Sequence, residues 1–86
     1  MNKQEKMTLI EDSVEKGYVL YTRSDSSLTV QKVYVCEDYR GQGLASKLME
    51  QFVSFAKKEN KKIIPECEYA KKYSLEHPQL TDYFIN

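Results

Sequence analysis

Tryptophan is absent from this 86-residue chain, histidine occurs once, glycine three times, and proline and cysteine twice each. So little glycine and proline excludes collagen-like and low-complexity classes. Two cysteines, Cys36 and Cys67, are too few for a disulfide scaffold, and a reducing compartment would keep them as thiols. Two cysteines and one histidine fit no zinc spacing, so no metal site is expected. Charge of one sign is lacking too: 13 Lys and Arg balance 13 Asp and Glu. Without a basic excess, no nucleic-acid partner is expected. No apolar run is long enough to span a bilayer. The opening Met1-Asn2-Lys3-Gln4-Glu5-Lys6 has no apolar core of the kind a secretory signal needs. A cytoplasmic protein, monomeric or weakly dimeric and without membrane contact, is the expectation.

What the chain does contain is globular. Hydrophobic residues make up 41% and charged residues 30%, and seven Tyr and three Phe supply large buried surfaces. Its length suits one domain over 1–86. Thr8 to Glu11 reads as a short first strand, and Tyr18 to Arg23 as a second, rich in β-formers. Asp25-Ser26-Ser27 is a turn cluster, so Leu28 to Val35, the third strand, forms an antiparallel hairpin with the second.

From Leu44 to about Glu59 the pattern becomes helical. Leu44, Ala45, Leu48, Met49, Phe52, Val53 and Ala56 form one apolar face. Lys57, Lys58, Lys61 and Lys62 follow as a solvated, dipole-compatible helix end. Ile63-Ile64-Pro65 reads as a fourth strand, parallel to the third across the helix. A second helix runs from about Cys67 to Glu76 and stops near His77, because Pro78 disfavours a helical residue before it. The tail from Leu80 to Ile85, with Tyr83 and Phe84, is apolar enough to pack back on the domain. The expected architecture is β-β-β-α-β-α, an α/β or α+β fold with a short mixed sheet and the long helix on one face.

Between the third strand and the long helix lies Arg40-Gly41-Gln42-Gly43-Leu44-Ala45. Gly41 and Gly43 permit unusual dihedrals and close approach by a ligand. The helix start offers unpaired N–H groups and the positive end of a dipole. Together they form an anion site suited to a pyrophosphate, and Arg40 either adds its charge or anchors the loop. A P-loop is excluded because no Gly-Lys-Ser/Thr ending is present. A dinucleotide fingerprint is excluded because its third glycine is Ser46 and the chain is too short for a doubly wound sheet.

The stretch from Val35 to Ala45 resembles motif A of the GNAT superfamily of acetyl-CoA-dependent N-acetyltransferases, whose core reads Gln/Arg-x-x-Gly-x-Gly/Ala. Arg40, Gly43 and Ala45 hold the three defining positions, with Glu37 where the family often has Pro. The resemblance covers roughly residues 18 to 76, and the chain looks like the small stand-alone (YjdJ-like) group, which lacks the N-terminal helices that build much of the acceptor pocket. It implies that amides from Gly41 to Ala45 hold the pyrophosphate of acetyl-CoA, and that the strand end at Tyr34 and Val35 pairs with the pantetheine arm. It also implies that the strands on either side of the motif splay apart around the cofactor cleft, with the acetyl thioester in the gap and an amine as acceptor.

Three residues are candidates for the chemistry. Cys67 stands where the fourth strand gives way to the second helix, a position that favours a nucleophilic thiolate. The same position equally suits a small buried apolar residue. Pro65-x-Cys67 resembles the small group's signature, in which this cysteine is suspected of acyl transfer. The superfamily's Asn-x-x-Ala-x-x-x-Tyr, aligned on Ala70, puts Cys67 at the Asn and Ser74 at the Tyr. Tyr73 is therefore one residue out of register as the proton donor. Tyr69 and Tyr73 share a helical face, which also suits packing on the core. His77 is a base by its chemistry and a cap or surface residue by its place. Cys36 reads as strand-end packing, or as a thiol able to reach Cys67. The leading expectation is acetyl transfer from acetyl-CoA to an amine of unknown identity, on a protein, a peptide or a small molecule. The alternatives are a non-catalytic acetyl-CoA-binding sensor and a partner-binding domain.

Overall fold

The computed structural model describes residues 3–85; Met1, Asn2 and Asn86 lie outside the described residues, as do the parts of the N-terminal and single-domain readings that fall on them. The order is β1 (Gln4–Glu11), β2 (Val14–Arg23), β3 (Ser27–Val35), a 3-10 turn (Glu37–Tyr39), α1 (Leu44–Lys58), β4 (Lys62–Pro65), α2 (Glu68–Glu76) and a 3-10 segment (Pro78–Tyr83). The strands form one sheet in the order β1-β2-β3-β4. β1 and β2, like β2 and β3, pair antiparallel, and β3 pairs parallel with β4. This is the expected β-β-β-α-β-α arrangement.

The first two strands are longer than their composition suggests. β1 begins at Gln4 rather than Thr8, and β2 at Val14 rather than Tyr18. The cause is a two-residue turn, Asp12-Ser13, with φ of 54° and 65°. Two consecutive left-handed residues give the twist of a type I′ hairpin turn. That tight turn pulls the polar flanks, Gln4-Glu5-Lys6 and Val14-Glu15-Lys16, into a continuous ladder. Glu11 bridges the turn to its surroundings, accepting from Lys16 and Lys47.

Gly17 shows what the β2–β3 pairing demands. A Cβ there would lie 2.5 Å from the Tyr34 carbonyl oxygen and 3.0 Å from Leu48. Only glycine lets β3 and α1 both come so close. Each pairing also has one irregularity, between Leu9 and Ile10 and between Leu20 and Tyr21. The second places Gln31 as an extra residue in β3, a bulge that changes the strand's course just after its last pairing with β4.

α1 buries Leu44, Leu48, Met49, Phe52, Val53 and Ala56 against Val19, Tyr21, Leu28, Val30 and Ile63. Phe52 sits 5.0 Å from the Tyr21 ring and 6.0 Å from Phe55, an aromatic cluster under the helix. The helix ends where Asn60 takes a left-handed φ of 56°. The Lys61 amide then reaches the Ala56 carbonyl (2.9 Å) and the Asn60 amide that of Lys57 (3.1 Å). That is a Schellman cap with Asn in the usual glycine position. Arg23 ties this end to the sheet through Glu59 (2.8 Å) and Glu5 (2.9 Å).

α2 contributes Ala70 and Tyr73 to the same core. The tail also packs back as expected: Phe84 is buried and pairs with Ile63, and the Ile85 amide donates to the Ile63 carbonyl at 2.7 Å. The other face of the sheet carries Tyr18, Leu20, Tyr34 and Ile64, all only half-buried. Tyr18 and Tyr34 stack there at 5.1 Å.

Candidate functional site

β4 follows β3 only from Ser27 to Val30, pairing with Lys62 to Pro65. At that point the amides of Glu66 and Cys67 both donate to the Val30 carbonyl, at 3.0 and 3.2 Å. β3 then runs on to Val35 without β4 beside it, while the chain turns into α2. The strands therefore splay, with the apex at Val30 and Cys67. Five residues of β3 beyond it, at about 3.3 Å each, make a free edge about 17 Å long.

At the far end of that edge is the glycine turn. Gly41 and Gly43 have φ of 82° and 75°. A Cβ on either would meet nothing within 4 Å. Glycine is demanded here by backbone conformation, and the space in front of it is open. Gly43 is the N-cap of α1 and offers no side-chain acceptor to the first turn. The first amide to find a carbonyl is Lys47, on Gly43 at 3.2 Å. Among the described residues, no hydrogen bond uses the amides of residues 41–46. A run of unsatisfied donors at the positive end of a 15-residue helix is the arrangement that suits an anion.

A cavity of about 380 Å³ joins these features. Its walls are Val33, Tyr34 and Val35 from β3, Tyr39 to Gly41, Gly43 to Ser46, and Tyr69 from α2. Of the residues expected to bind the cofactor, Tyr34, Val35, Arg40, Gly41, Gly43, Leu44 and Ala45 line it; Gln42 is exposed and does not. Arg40 does anchor the loop: its Nε donates to the Val35 carbonyl at 2.9 Å and its guanidinium lies 5.5 Å from the Tyr34 ring centre. That bond uses one donor of five.

The three catalytic candidates occupy separate places. Cys67 is the N-cap of α2, and its Sγ accepts from the Ala70 amide at 3.3 Å. It stands at the splay apex, half-buried, outside the cavity wall. Tyr73 is buried, 3% exposed, and stacks on His77 at 3.9 Å. Burial raises its hydroxyl pKa, and the Glu50 carboxylate and then Tyr69 raise it further. His77 Nδ1 lies 2.8 Å from the Tyr73 carbonyl, which closes the end of α2. Tyr73 and His77 line a second cavity with Glu50, away from β3. Cys36 and Cys67 are both free thiols, and Cys36 Sγ lies 3.6 Å from the Glu15 carbonyl.

Tyr69 is the residue that sequence reasoning passed over as a site residue. It lies on the same face of α2 as Tyr73, four residues earlier, but at the end of the helix next to the splay. There it forms the α2 wall of the cavity. Burial raises its pKa first, the Glu76 carboxylate adds to that, and the Ser46 hydroxyl works against it. Its place one turn before Tyr73, two residues from the apex, was the signal that could have found it.

Residues 6–83 match the family described as GCN5-related N-acetyltransferase. The chain belongs to that family. Its fold is that of solved acetyltransferases. A ribosomal-protein-alanine N-acetyltransferase from Brucella melitensis biovar Abortus 2308 superposes with a TM-score of 0.68 at 19% identity, over 90% of this chain and 62% of that one. An Agrobacterium tumefaciens protein described as an acetyltransferase superposes with a TM-score of 0.56 at 27% identity, over 72% of this chain and 48% of that one. The chain thus spans about half to three-fifths of these relatives. No curated protein matches it. Acetyl transfer is the activity the family's description names, and no helix among the described residues is long and apolar enough to cross a membrane.

Proposed function

We propose that this domain transfers the acetyl group of acetyl-CoA to an amine. The reading rests on one observation above all: the amides of residues 41–46 stand without acceptors at the mouth of a cavity whose long wall is the free end of β3. The donor set fits the nucleotide end of the cofactor, since backbone N–H groups and a guanidinium are what a pyrophosphate needs. The unpaired edge from Gln31 to Val35 offers amide and carbonyl groups to the amides of the pantetheine arm. That edge is long enough to carry the thioester toward the apex, between Val33 and the start of α2.

When bound, the cofactor supplies an activated acetyl group; the chain's own residues position it and manage the proton. Tyr69 is the proton donor in this reading. Burial raises its hydroxyl pKa above the ordinary value, and the residue lines the cavity opposite β3. As the acceptor's unprotonated amine attacks the thioester carbonyl, the C–S bond breaks, the tyrosine O–H gives its proton to the departing sulfur, and the proton shed by the new amide nitrogen returns through solvent to the tyrosinate. Tyr73, sealed in the core against His77, supports α2 rather than the reaction.

One observation favours a second route. The Cys67 thiol stands at the apex and accepts a hydrogen bond from the first turn of α2, an arrangement that supports a nucleophilic sulfur. In that route the Cys67 sulfur takes the acetyl group from the thioester and passes it to the amine. Mass spectrometry after acetyl-CoA alone separates the two: an adduct on Cys67 supports the relay, and its absence with turnover intact supports direct attack.

The first test is an NMR titration with acetyl-CoA and CoA, followed by thiol release with a panel of amines. Shifts at Gly41, Gly43 and Leu44 with thiol release support the transferase. The same shifts with no release for any amine support a sensor that binds acetyl-CoA without turnover. No shifts at this turn overturn both and leave a partner-binding domain.

A further inference from the structure

The cofactor cavity and the cavity of about 270 Å³ behind it share Ser46, and α1 lines both. Val33 and Val35 border the first and pack on the core, so the α1 face of the sheet is the cofactor's side in the reading above. An acceptor then reaches the apex at Val30 from the opposite face.

Strand register sets the pattern of that face. Leu20 pairs with Lys6 on β1 and with Lys32 on β3, so two lysines flank one leucine with Cα atoms about 10 Å apart. Two residues along, Tyr18 pairs with Tyr34, and their rings stack at 5.1 Å. The Lys6 ammonium lies 5.1 Å from the Tyr18 ring centre, and that of Lys32 5.4 Å from the Tyr34 ring centre. Lys6 has Glu15 at 3.4 Å. Lys32 has no carboxylate partner among the described residues. Arg40 reaches the same Tyr34 ring at 5.5 Å, but from the glycine turn.

On the other side of the apex, a cavity of about 390 Å³ opens between β4 and α2. Ile64, Pro65, Leu75 and Ile85 line it, with Lys71 as its single polar residue. Leu75 is 79% exposed and Ile85 47%, so this apolar wall faces solvent. Apolar side chains gathered in this way mark an interaction surface. Ile64 pairs with Thr29, three residues before Lys32. The apolar cavity and the free lysine therefore lie about 11 Å apart, the reach of three to four extended residues. Between them is the apex, where Glu66 is exposed and in no ion pair among the described residues.

We propose that the acceptor is a lysine within an acidic segment of a protein, held across this face with an apolar side chain in the β4–α2 cavity and a carboxylate against Lys32. The segment's amine then stands over the apex, where the Glu66 carboxylate suits it. Binding surface on both flanks of the apex fits a chain that runs on past the acceptor in both directions, and so an internal lysine rather than an N-terminus or a small amine. The proposal rests on the acetyl-transfer reading and names its substrate class. Lys32 and the cavity residues bind and position; the chemistry stays at the apex.

Blocked synthetic peptides test it on the full chain by NMR titration. The probes are Leu-Lys-Glu-Glu, the reverse order Glu-Glu-Lys-Leu, and versions with Gln for Glu or Ser for Leu. One of the two acidic orders is expected to shift the amides of Leu20, Lys32, Tyr34, Ile64 and Leu75, and to be acetylated on its lysine when acetyl-CoA is present. Gln for Glu should weaken binding about fivefold, the scale of an exposed ion pair. Ser for Leu should weaken it about tenfold, as an apolar side chain is lost from the cavity. Lys32→Glu should remove the preference for Glu over Gln and keep that for Leu over Ser; Leu75→Gln should do the reverse. Both side chains are exposed, and the response of the 41–46 turn to acetyl-CoA reports on the fold of each variant. Equal binding of Glu and Gln peptides, or a Glu preference that survives Lys32→Glu, overturns the acidic acceptor. No binding by any of these peptides overturns the peptide site. Shifts of the same amides on dilution of the protein alone assign the face to a second copy of the chain and overturn it too. In each of these cases a response of the 41–46 turn to acetyl-CoA leaves the cofactor reading standing. Silence of that turn overturns the cofactor reading, and the acceptor role of this face with it.

Discussion

Gly43 is where one backbone angle bears on both the fold and the proposed cofactor site. Its φ of 75° is left-handed, and no neighbour crowds the place of a Cβ. Gly43→Ala should therefore lower stability by about 1–2 kcal/mol through strain alone, as read from urea unfolding. The same variant should bind acetyl-CoA more weakly, because the added methyl group stands in the open space before the amides. Tyr69 carries a second expectation. Tyr69→Phe should lower kcat on the order of 10²-fold with little change in KM. Its hydroxyl pKa is raised above the ordinary 10.0, so it stays a donor through neutral pH. The alkaline limb of the activity profile should lie above that value, and a pH–rate profile of Tyr69→Phe should lack that alkaline limb. Both glycines were legible from their spacing before a helix. The rank of the two tyrosines was not, because periodicity puts Tyr69 and Tyr73 on one face and cannot tell which end of the helix meets the gap.

At the level of elements, close approach decides the site. β3 must leave β4 at Val30 yet stay against β2 as far as Val35. Gly17 permits this, since a side chain there would strike the Tyr34 carbonyl. Gly17→Ala should cost about 1–3 kcal/mol, as overpacking does, and should shift the amides of Tyr34 and Val35 in a heteronuclear spectrum. α1 holds the sheet from below through Phe52, which is fully buried. Phe52→Ala should cost about 3–5 kcal/mol. That is a large share of the stability of so small a domain, and thermal unfolding should show it as a transition close to ambient temperature. The apolar periodicity of α1 was plain in the sequence. The length of β1 and β2 was not: their outer halves are polar, and only the Asp12-Ser13 turn aligns them.

For the molecule as a whole, stability should be bounded by pH on both sides. The Arg23 guanidinium holds Glu5 below its ordinary 4.5, and Lys47 does the same for Glu11. Lowered folded values mean that this stabilisation is present above pH 4.5 and lost as the pH falls through them. Burial raises Tyr21, Tyr69 and Tyr73 above 10.0. Raised folded values mean that their contribution is present below pH 10 and lost as the pH rises through them. Urea midpoints measured from pH 3 to 11 should form a plateau that falls at both ends, and Tyr73→Phe should flatten part of the alkaline fall. The sequence by itself determined the element order, the single apolar face of α1, and the glycine turn before it, because each depends on neighbours close along the chain. The tertiary structure decided how far β3 and β4 stay together, which tyrosine of α2 walls the cavity, and that Ser46 joins two cavities. Those outcomes depend on pairing register and on packing between segments distant in the chain, and local spacing carries neither.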